Sequence, residues 1–277
     1  MRAINEPVGW WGWHWTPPVP MSIVEIIKAG SMSPRLAAAF WVAMERGASL
    51  LVAADPPSAG KTTILTALLS FTPPDTAAYF TCGIGEAFTL PPPSTSHLTY
   101  ILINEMSDHL PVYTWGPYAR RAFELLAQGY SLATTMHASS SAEVIAILEK
   151  DLAIPRGLIS HLTFVVSLHL VYQRSIVRRV AEVTFLRPDA AGGFAPLTLA
   201  RWNPEADSFS LFASDEAGQE YASWAGLTSK EMENELDRRE AFLEGLLREG
   251  RMGIPQVNQA IEAYYWEVIA RNQRGKR

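Results

Sequence analysis

The chain has 277 residues, of which 48% are hydrophobic and 18% are charged, and its net charge is -5. This composition is typical of a globular protein, and without a basic surplus it argues against nucleic acid as the main partner. The single cysteine, Cys82, excludes an intrachain disulfide and suits a reducing compartment. The sequence has no signal-peptide pattern and no apolar run near the ~18 to 20 residues that span a bilayer, so it predicts a cytoplasmic protein.

An irregular arm is predicted at the N-terminus. It shows no periodicity and contains two clusters, Trp10, Trp11, Trp13 and Trp15 followed by Pro17, Pro18 and Pro20. The rings either pack on the domain or contact a partner subunit or a membrane surface. Ser22 and Ser33 are typical N-cap residues, the second followed by Pro34, and they predict two helices before residue 47.

The next stretch, residues 49–69, predicts a buried strand, a phosphate-binding loop and a helix in direct succession. Residues 50–54 are uncharged and read as a central strand. In such a loop, backbone N–H groups at the helix N-terminus bind phosphate oxygens, Lys61 adds positive charge and the Thr62 hydroxyl binds Mg²⁺. The sequence therefore predicts a nucleoside triphosphate site formed by Ser58, Ala59, Gly60, Lys61, Thr62 and Thr63.

This loop departs from the GxxxxGK[ST] pattern. Its first position is Asp55, whose acid would face a polyanion, and it contains Pro56 and Pro57, which have no N–H donors. A turn that contains GKTT by chance is the alternative interpretation. Lys61 is expected to be exposed, so that its replacement changes nucleotide binding but leaves folding almost unaffected.

Two further strands predict site residues at their ends. Residues 98–103 form an apolar strand that runs into Glu105, and residues 132–136 form another that ends at His137. Alone, an acid at this place is as often a solvated strand end, and a lone histidine is more often an ordinary surface or core residue. Because alternating strands and helices give a parallel sheet, both residues are predicted to share one sheet edge with the phosphate loop. There the carboxylate can hold Mg²⁺ or orient water.

The remaining chain predicts two β-hairpins and two long helices. The hairpins pair residues 162–172 with 177–186 and residues 197–201 with 208–212. Thr228 and Glu231 have the spacing of a capping box, and Pro255 lies at the start of the last helix. These amphipathic helices are expected to pack on the core rather than to bind a partner.

Three stretches carry a common pattern: LLVAADPPSAGKTTILTAL, YILINEMSD and GYSLATTMHASSSAEVIAIL. Together they resemble the Walker A, Walker B and His-box motifs of the type II/type IV secretion ATPase superfamily, in its archaeal and tight-adherence branch. Its members are hexameric motors of secretion systems, pili and archaeal flagella. The resemblance covers roughly residues 18–266, and the His box is its most specific part.

The resemblance implies an α/β fold with a RecA-like P-loop NTPase core, a mostly parallel sheet, a small β-hairpin extension and a helical C-terminal part. The implied organisation is an N-terminal arm with lead-in helices over 1–47, the nucleotide-binding core over 48–190, and a hairpin with C-terminal helices over 191–277. The implied cofactors are ATP and Mg²⁺, the metal being held by Thr62 and Glu105. The catalytic residues implied by the resemblance are Glu105, His137, which senses the γ-phosphate, and Glu86, a displaced candidate for the acid of the Asp box.

Several departures bear on hydrolysis. Asn104 stands where the Walker B glycine is usual, the Asp box is reduced to FTCGIGEAF, and the arginine-rich helix before the Walker B strand is not recognisable. We also expect the chain to lack the separate N-terminal domain that supplies arginines to a neighbouring subunit. Two groups could supply such an arginine across a subunit interface instead: Arg120 and Arg121, or the cluster Arg174, Arg178 and Arg179.

Three functions stay open at this point. The first is an ATP-binding motor subunit of a secretion or type IV pilus-like apparatus, with weak hydrolysis in isolation. The second is a catalytically impaired paralogue with a regulatory or assembly role, and the third, a nucleic-acid translocase, is disfavoured by the balanced charge. The resemblance implies a homo- or hetero-oligomeric ring such as a hexamer, an inner-membrane platform protein as partner, and a peripheral position at the inner face of the cytoplasmic membrane.

Overall fold

The structure, a computed structural model, describes residues 1–7, 20–56, 58–172, 176–212 and 214–274. The four tryptophans of the predicted N-terminal arm therefore lie outside the described residues, as do Pro57 and Arg174. At the start of the arm, which was predicted to be irregular, Arg2–Ala3 form a short strand that pairs with residues 77–78.

The elements are numbered in chain order. The strands are β1 (Arg2–Ala3), β2 (Leu50–Ala53), β3 (Ala77–Phe80), β4 (Thr99–Leu102), β5 (Ser131–Met136), β6 (Phe164–Tyr172), β7 (Ile176–Pro188), β8 (Phe194–Asn203) and β9 (Ser208–Leu211). The helices are α1 (Ile23–Lys28), α2 (Pro34–Glu45), α3 (Lys61–Leu69), α4 (Pro117–Leu126), α5 (Ser141–Ala146) with a π-helical continuation (Ile147–Asp151), α6 (Arg156–Ile159), α7 (Asp215–Trp224), α8 (Ser229–Arg248) and α9 (Ile254–Arg274).

Helix starts follow the local sequence. The Ser22 and Ser33 hydroxyls accept hydrogen bonds from backbone N–H groups in the first turns of α1 and α2. Thr228 and Glu231 form the predicted capping box at the start of α8. These caps depend only on residues three positions apart, and the predictions made from them are confirmed.

The described strands form one nine-stranded sheet in the order β1-β3-β4-β5-β2-β6-β7-β8-β9. Neighbours from β1 to β6 pair in parallel, and those from β6 to β9 pair antiparallel. All four residues of β2 are buried, as expected for a central strand with helices on both faces. The predicted α/β class with a mostly parallel sheet is confirmed.

The two predicted hairpins are one antiparallel meander. Strand β6 pairs in parallel with β2, with Leu50 opposite Phe164, so the meander continues the core sheet. Strands β7 and β8 extend beyond the predicted bounds at both ends, and the pairing has register shifts at Ser167/Leu168 and Val183/Thr184. A bulge breaks strict alternation, which is the signal that a sequence pattern relies on.

The order of the strands places the site. The chain leaves β2 through α3 towards β3, returns through β4 to β5, and then crosses β2 to reach β6 on the other side. The connection after β2 therefore leads towards one edge strand of the sheet, and the connection after β5 leads towards the other. In open α/β sheets, ligands bind outside the carboxyl ends of the strands at such a switch point.

Two hydrophobic clusters cover the two faces of the sheet. Leu50 and Val52 belong to a cluster that includes α1, α2, α3 and the C-terminal helices, whereas Leu51 and Ala53 belong to one with α4 and α5. This alternation follows from the two-residue period of a strand. No helix within the described ranges is long and apolar enough to cross a membrane.

Candidate functional site

Three of the predicted site residues meet at the carboxyl edge of the sheet. Lys61 is the first residue of α3, Glu105 follows β4, and His137 follows β5 directly. The Lys61 Nζ lies 3.2 Å from His137 Nε2 and 3.3 Å from His137 Nδ1. His137 Nε2 lies 3.6 Å from a Glu105 carboxylate oxygen. Strands that are far apart in sequence thus place a cation, an imidazole and a carboxylate in contact.

The His137 ring contacts the start of the phosphate loop as well as Lys61. Its Nδ1 lies 3.1 Å from the carbonyl oxygen of Asp55, which accepts in this contact. The Lys61 ammonium, a donor, lies beside both ring nitrogens. The ring therefore connects the start of the phosphate loop with the lysine at its end.

Lys61 is buried, which corrects the expectation from sequence that it is exposed. Only 7% of the residue is accessible, because α3 begins against the ends of β2 and β5. Burial lowers the pKa of the Lys61 ammonium, and the Glu105 and Asp55 carboxylates partly oppose this shift. A desolvated ammonium with incomplete compensation gains from an anionic ligand.

This burial predicts a pH dependence of stability. The folded chain releases the Lys61 proton at a lower pH than the unfolded chain, whose lysine has the ordinary pKa of 10.5. Between these two values the unfolded state binds more protons, so the free energy of unfolding rises with pH. Lys61→Met removes this pH-dependent part of the free energy of unfolding. It also removes the free-energy cost of burying the charged ammonium. We expect the variant to be at least as stable as the parent near neutral pH.

Urea denaturation of the parent and Lys61→Met between about pH 7 and about pH 10 measures the effect, because other titrating groups cancel in the difference. The stability of the parent relative to the variant should increase as pH rises. Parallel pH curves for the two proteins would contradict the desolvation of Lys61.

The backbone of the phosphate loop is held in left-handed conformations. Ser58 has a φ of 62° and Gly60 has a φ of 92°. A β-carbon on Gly60 would also lie 3.2 Å from Cδ of Arg178. Glycine is therefore favoured at position 60 by the backbone conformation, and the Arg178 side chain lies close beside it.

The start of α3 has the donors that phosphate binding needs. Gly60 is its N-cap and no side chain caps the helix. The first N–H groups of a helix have no intrahelical acceptor, and these belong here to Lys61, Thr62 and Thr63. The Thr62 and Thr63 side chains are half-buried, Ala59 is buried and Ser58 is exposed. Backbone donors, an ammonium and a threonine hydroxyl form a set that fits a polyphosphate with Mg²⁺.

Glu86 has a different environment from the other predicted catalytic residues. Its carboxylate accepts hydrogen bonds from the Tyr79 hydroxyl (2.6 Å) and the backbone N–H groups of Phe88 (2.6 Å) and Cys82 (2.7 Å). Burial, followed by this contact with Glu86, raises the pKa of Tyr79 to about 12. Within the described chain, no hydrogen bond or ion pair joins Glu86 to Lys61 or His137. Its contacts organise the loop after β3.

Sequence reasoning missed several residues that position Glu105. The Thr135 hydroxyl donates to the Asn104 carbonyl at 2.8 Å, and the Met106 N–H donates to the Thr135 carbonyl at 2.8 Å. The peptide that carries Glu105 is therefore tied to β5. His109, whose ring centre lies 6.3 Å from that of His137, was also missed, although it follows Glu105 by four positions.

Comparisons with known proteins give distant relatives. No family model matches the chain. It is 27% identical over 249 residues to Uncharacterized protein MJ1287 of Methanocaldococcus jannaschii. This alignment covers 81% of the present chain and 91% of that protein. It is also 24% identical over 281 residues to Uncharacterized protein MJ0900 of the same organism. This second alignment covers 89% of the present chain but 49% of that protein. The chain thus spans about half the length of this second relative.

Two solved structures show a partial likeness. One is the VirB11 ATPase from the Brucella suis type IV secretion system in complex with sulphate, with a TM-score of 0.39, 18% identity, and coverage of 58% of this chain and 54% of that one. The other is the Legionella pneumophila ATPase DotB, with a TM-score of 0.33, 11% identity, and coverage of 95% and 67%.

Proposed function

We propose that this chain binds ATP with Mg²⁺ at the carboxyl edge of β2 and acts as an ATPase-type subunit of a secretion or type IV pilus-like apparatus. The observation that carries the proposal is the contact of Lys61, at the uncapped start of α3, with His137, which itself lies 3.6 Å from Glu105. The motif resemblance supports the choice of apparatus.

Each residue has a distinct role in this proposal. Lys61 and the backbone N–H groups of α3 bind the phosphates, Thr62 and Glu105 hold the metal, and Glu105 orients water. ATP supplies a phosphoanhydride bond, and Mg²⁺ offsets the charge of its phosphates. His137 holds the Lys61 ammonium and the Asp55 carbonyl together, so it is placed to respond when an anion draws the ammonium away.

A second function, a nucleotide-binding regulatory or assembly protein with impaired catalysis, is favoured by a specific observation. Three donors already occupy the Glu86 carboxylate, so this acid is committed to its own loop. The phosphate loop also carries Asp55, Pro56 and Pro57. Weak hydrolysis in the isolated chain is expected under both functions.

The proposed partners are further copies of the chain or related subunits in a ring such as a hexamer, and an inner-membrane platform protein. Two large apolar side chains are exposed on loops after β3 and β4, namely Ile84 (71%) and Leu110 (38%). The Ile84 N–H donates to the Pro111 carbonyl, which joins these loops beside the site edge. We propose these joined loops as one place where a neighbouring subunit could be contacted.

Titration of the full chain with a fluorescent ATP analogue, with and without Mg²⁺, tests the binding proposal. We expect saturable binding that is tighter with Mg²⁺ and that unlabelled ATP reverses. Absence of displaceable binding would reject the nucleotide site. Steady-state phosphate release on the same samples then distinguishes a motor from a regulator.

Glu105→Gln tests the catalytic assignment. We expect phosphate release to fall by about 10²- to 10³-fold, the usual cost of removing one group that stabilises or orients the reacting centre. ATP affinity should change far less, because the glutamine side-chain oxygen can still bind the metal. His137→Ala should also lower the rate without lowering affinity. Glu124→Gln, on the exposed face of α4, is the matched control. A rate that Glu105→Gln leaves at the parent value would reject Glu105 as the catalytic carboxylate.

A further inference from the structure

The Arg178 side chain lies on the phosphate loop of its own chain. It projects from β7, in the antiparallel part of the sheet, and donates two hydrogen bonds to the Ser58 carbonyl, from Nε at 3.2 Å and from Nη2 at 3.1 Å. Its Cδ lies 3.2 Å from the position that a β-carbon on Gly60 would occupy. A residue 120 positions away therefore contacts the loop at Ser58 and lies beside Gly60.

Arg178 differs from the arginines around it in having no ion-pair partner among the described residues. The adjacent Arg179 forms a two-pronged ion pair with Asp207, with both distances 2.7 Å, and Arg201 pairs with Glu182. Among the residues that the structure describes, no carboxylate lies within 4.0 Å of the Arg178 guanidinium. The exposed guanidinium thus binds the loop carbonyl and, within the described part of the chain, has no acidic partner.

The contact also has a conformational consequence. Ser58 adopts a left-handed conformation, with a φ of 62°, which is unfavourable for a residue with a β-carbon. The guanidinium binds the carbonyl of this same residue. Arg178 therefore helps to hold a strained loop in place, and its remaining N–H groups are available to another acceptor, because a guanidinium has five.

We propose that Arg178 is a phosphate-binding residue of the same chain, which supplies the positive charge and donors that a loop with two prolines lacks. Pro56 and Pro57 have no N–H group to offer a phosphate. A planar guanidinium recognises phosphate oxygens with paired hydrogen bonds. The inference rests on the proposed nucleotide site and gives the meander, which carries Arg178, a part in ligand binding.

Affinities of the full chain for ATP, ADP and adenosine, measured by displacement of a fluorescent ATP analogue, test this inference. Arg178→Gln should weaken ATP binding by about 10- to 100-fold, as expected for the loss of charge-assisted hydrogen bonds. ADP should lose less, and adenosine binding should not change. Arg178→Lys should recover part of the ATP affinity, because it restores the charge but not the planar fork.

Arg201→Gln, which removes an exposed arginine from the same part of the sheet, is the matched control and should bind ATP like the parent. A purely structural role would weaken all three ligands alike, with no recovery in Arg178→Lys. Three results would overturn the inference but leave the nucleotide site standing. They are this uniform loss, an ATP affinity of Arg178→Gln within about twofold of the parent, and tighter ATP binding by the variant. A parent chain that binds no nucleotide would overturn both.

Discussion

Lys61→Ala is expected to lower the affinity for ATP by at least about 100-fold, the cost of removing charge-assisted hydrogen bonds from a desolvated site. The parent ammonium is already buried and held by His137, so little ordering is needed when phosphate binds. In the variant, the backbone donors of α3 remain but face the phosphates without a neighbouring cation. Displacement titration of parent and variant measures the effect.

Two variants make this result specific. Lys150→Ala removes an exposed lysine in the π-helical segment and should bind ATP like the parent. Lys61→Met keeps the length of the side chain and should bind as poorly as Lys61→Ala, because charge and not packing is lost. The folded state should persist in both Lys61 variants. Equal ATP affinities for Lys61→Ala and the parent would reject the phosphate-loop assignment.

Trp41→Ala is expected to destabilise the fold by about 3 to 5 kcal/mol, the range for truncation of a large buried aromatic side chain. Trp41 is fully buried in α2. Its ring stacks on Phe71 at 5.0 Å and lies 4.7 Å from Tyr264 of α9, and its Nε1 donates to the Tyr265 hydroxyl at 3.1 Å. The substitution removes the Trp41 contacts with Phe71, just after α3, and with Tyr264 and Tyr265 of α9.

Urea denaturation measures this loss. Trp266→Ala is the matched control, because this tryptophan of α9 is 49% exposed, and it should change stability by no more than about 0.5 kcal/mol. Trp41→Phe keeps an aromatic ring and loses the N–H donor, so an intermediate loss is expected. If Trp41→Ala and Trp266→Ala were equally stable, Trp41 would not be the residue that fastens the C-terminal helices.

Short-range signals in the sequence predict the local features of the chain. The uncharged run at β2, the caps at Ser22, Ser33 and Thr228, and the succession of strand, loop and helix around Lys61 all depend on neighbours within a few positions. Hydrophobic pattern and capping act over this range. The α/β class and the placing of Glu105 and His137 at strand ends follow from the same signals.

Long-range pairing decided the rest. No sequence pattern states that β2 lies between β5 and β6, since a helical connection can pass a strand to reach a more distant neighbour. That order nevertheless brings Lys61 onto His137 and buries it, against the expectation of an exposed lysine. Burial of a charge depends on what packs around it, and these neighbours come from three separate strands.

The contacts of Glu86 and Arg178 are likewise set by the tertiary structure and not by the local sequence pattern. An acid in a glycine-containing loop after a strand has the same local pattern whether it serves catalysis or its own loop, and only the fold shows its carboxylate bonded to Tyr79, Cys82 and Phe88. An arginine on an alternating strand likewise reads as a surface residue. The sequence alone determined which residues carry charge and where the capped helices begin. The pairing of β6 with β2 decided that the meander lies beside β2 and that Arg178 contacts the phosphate loop.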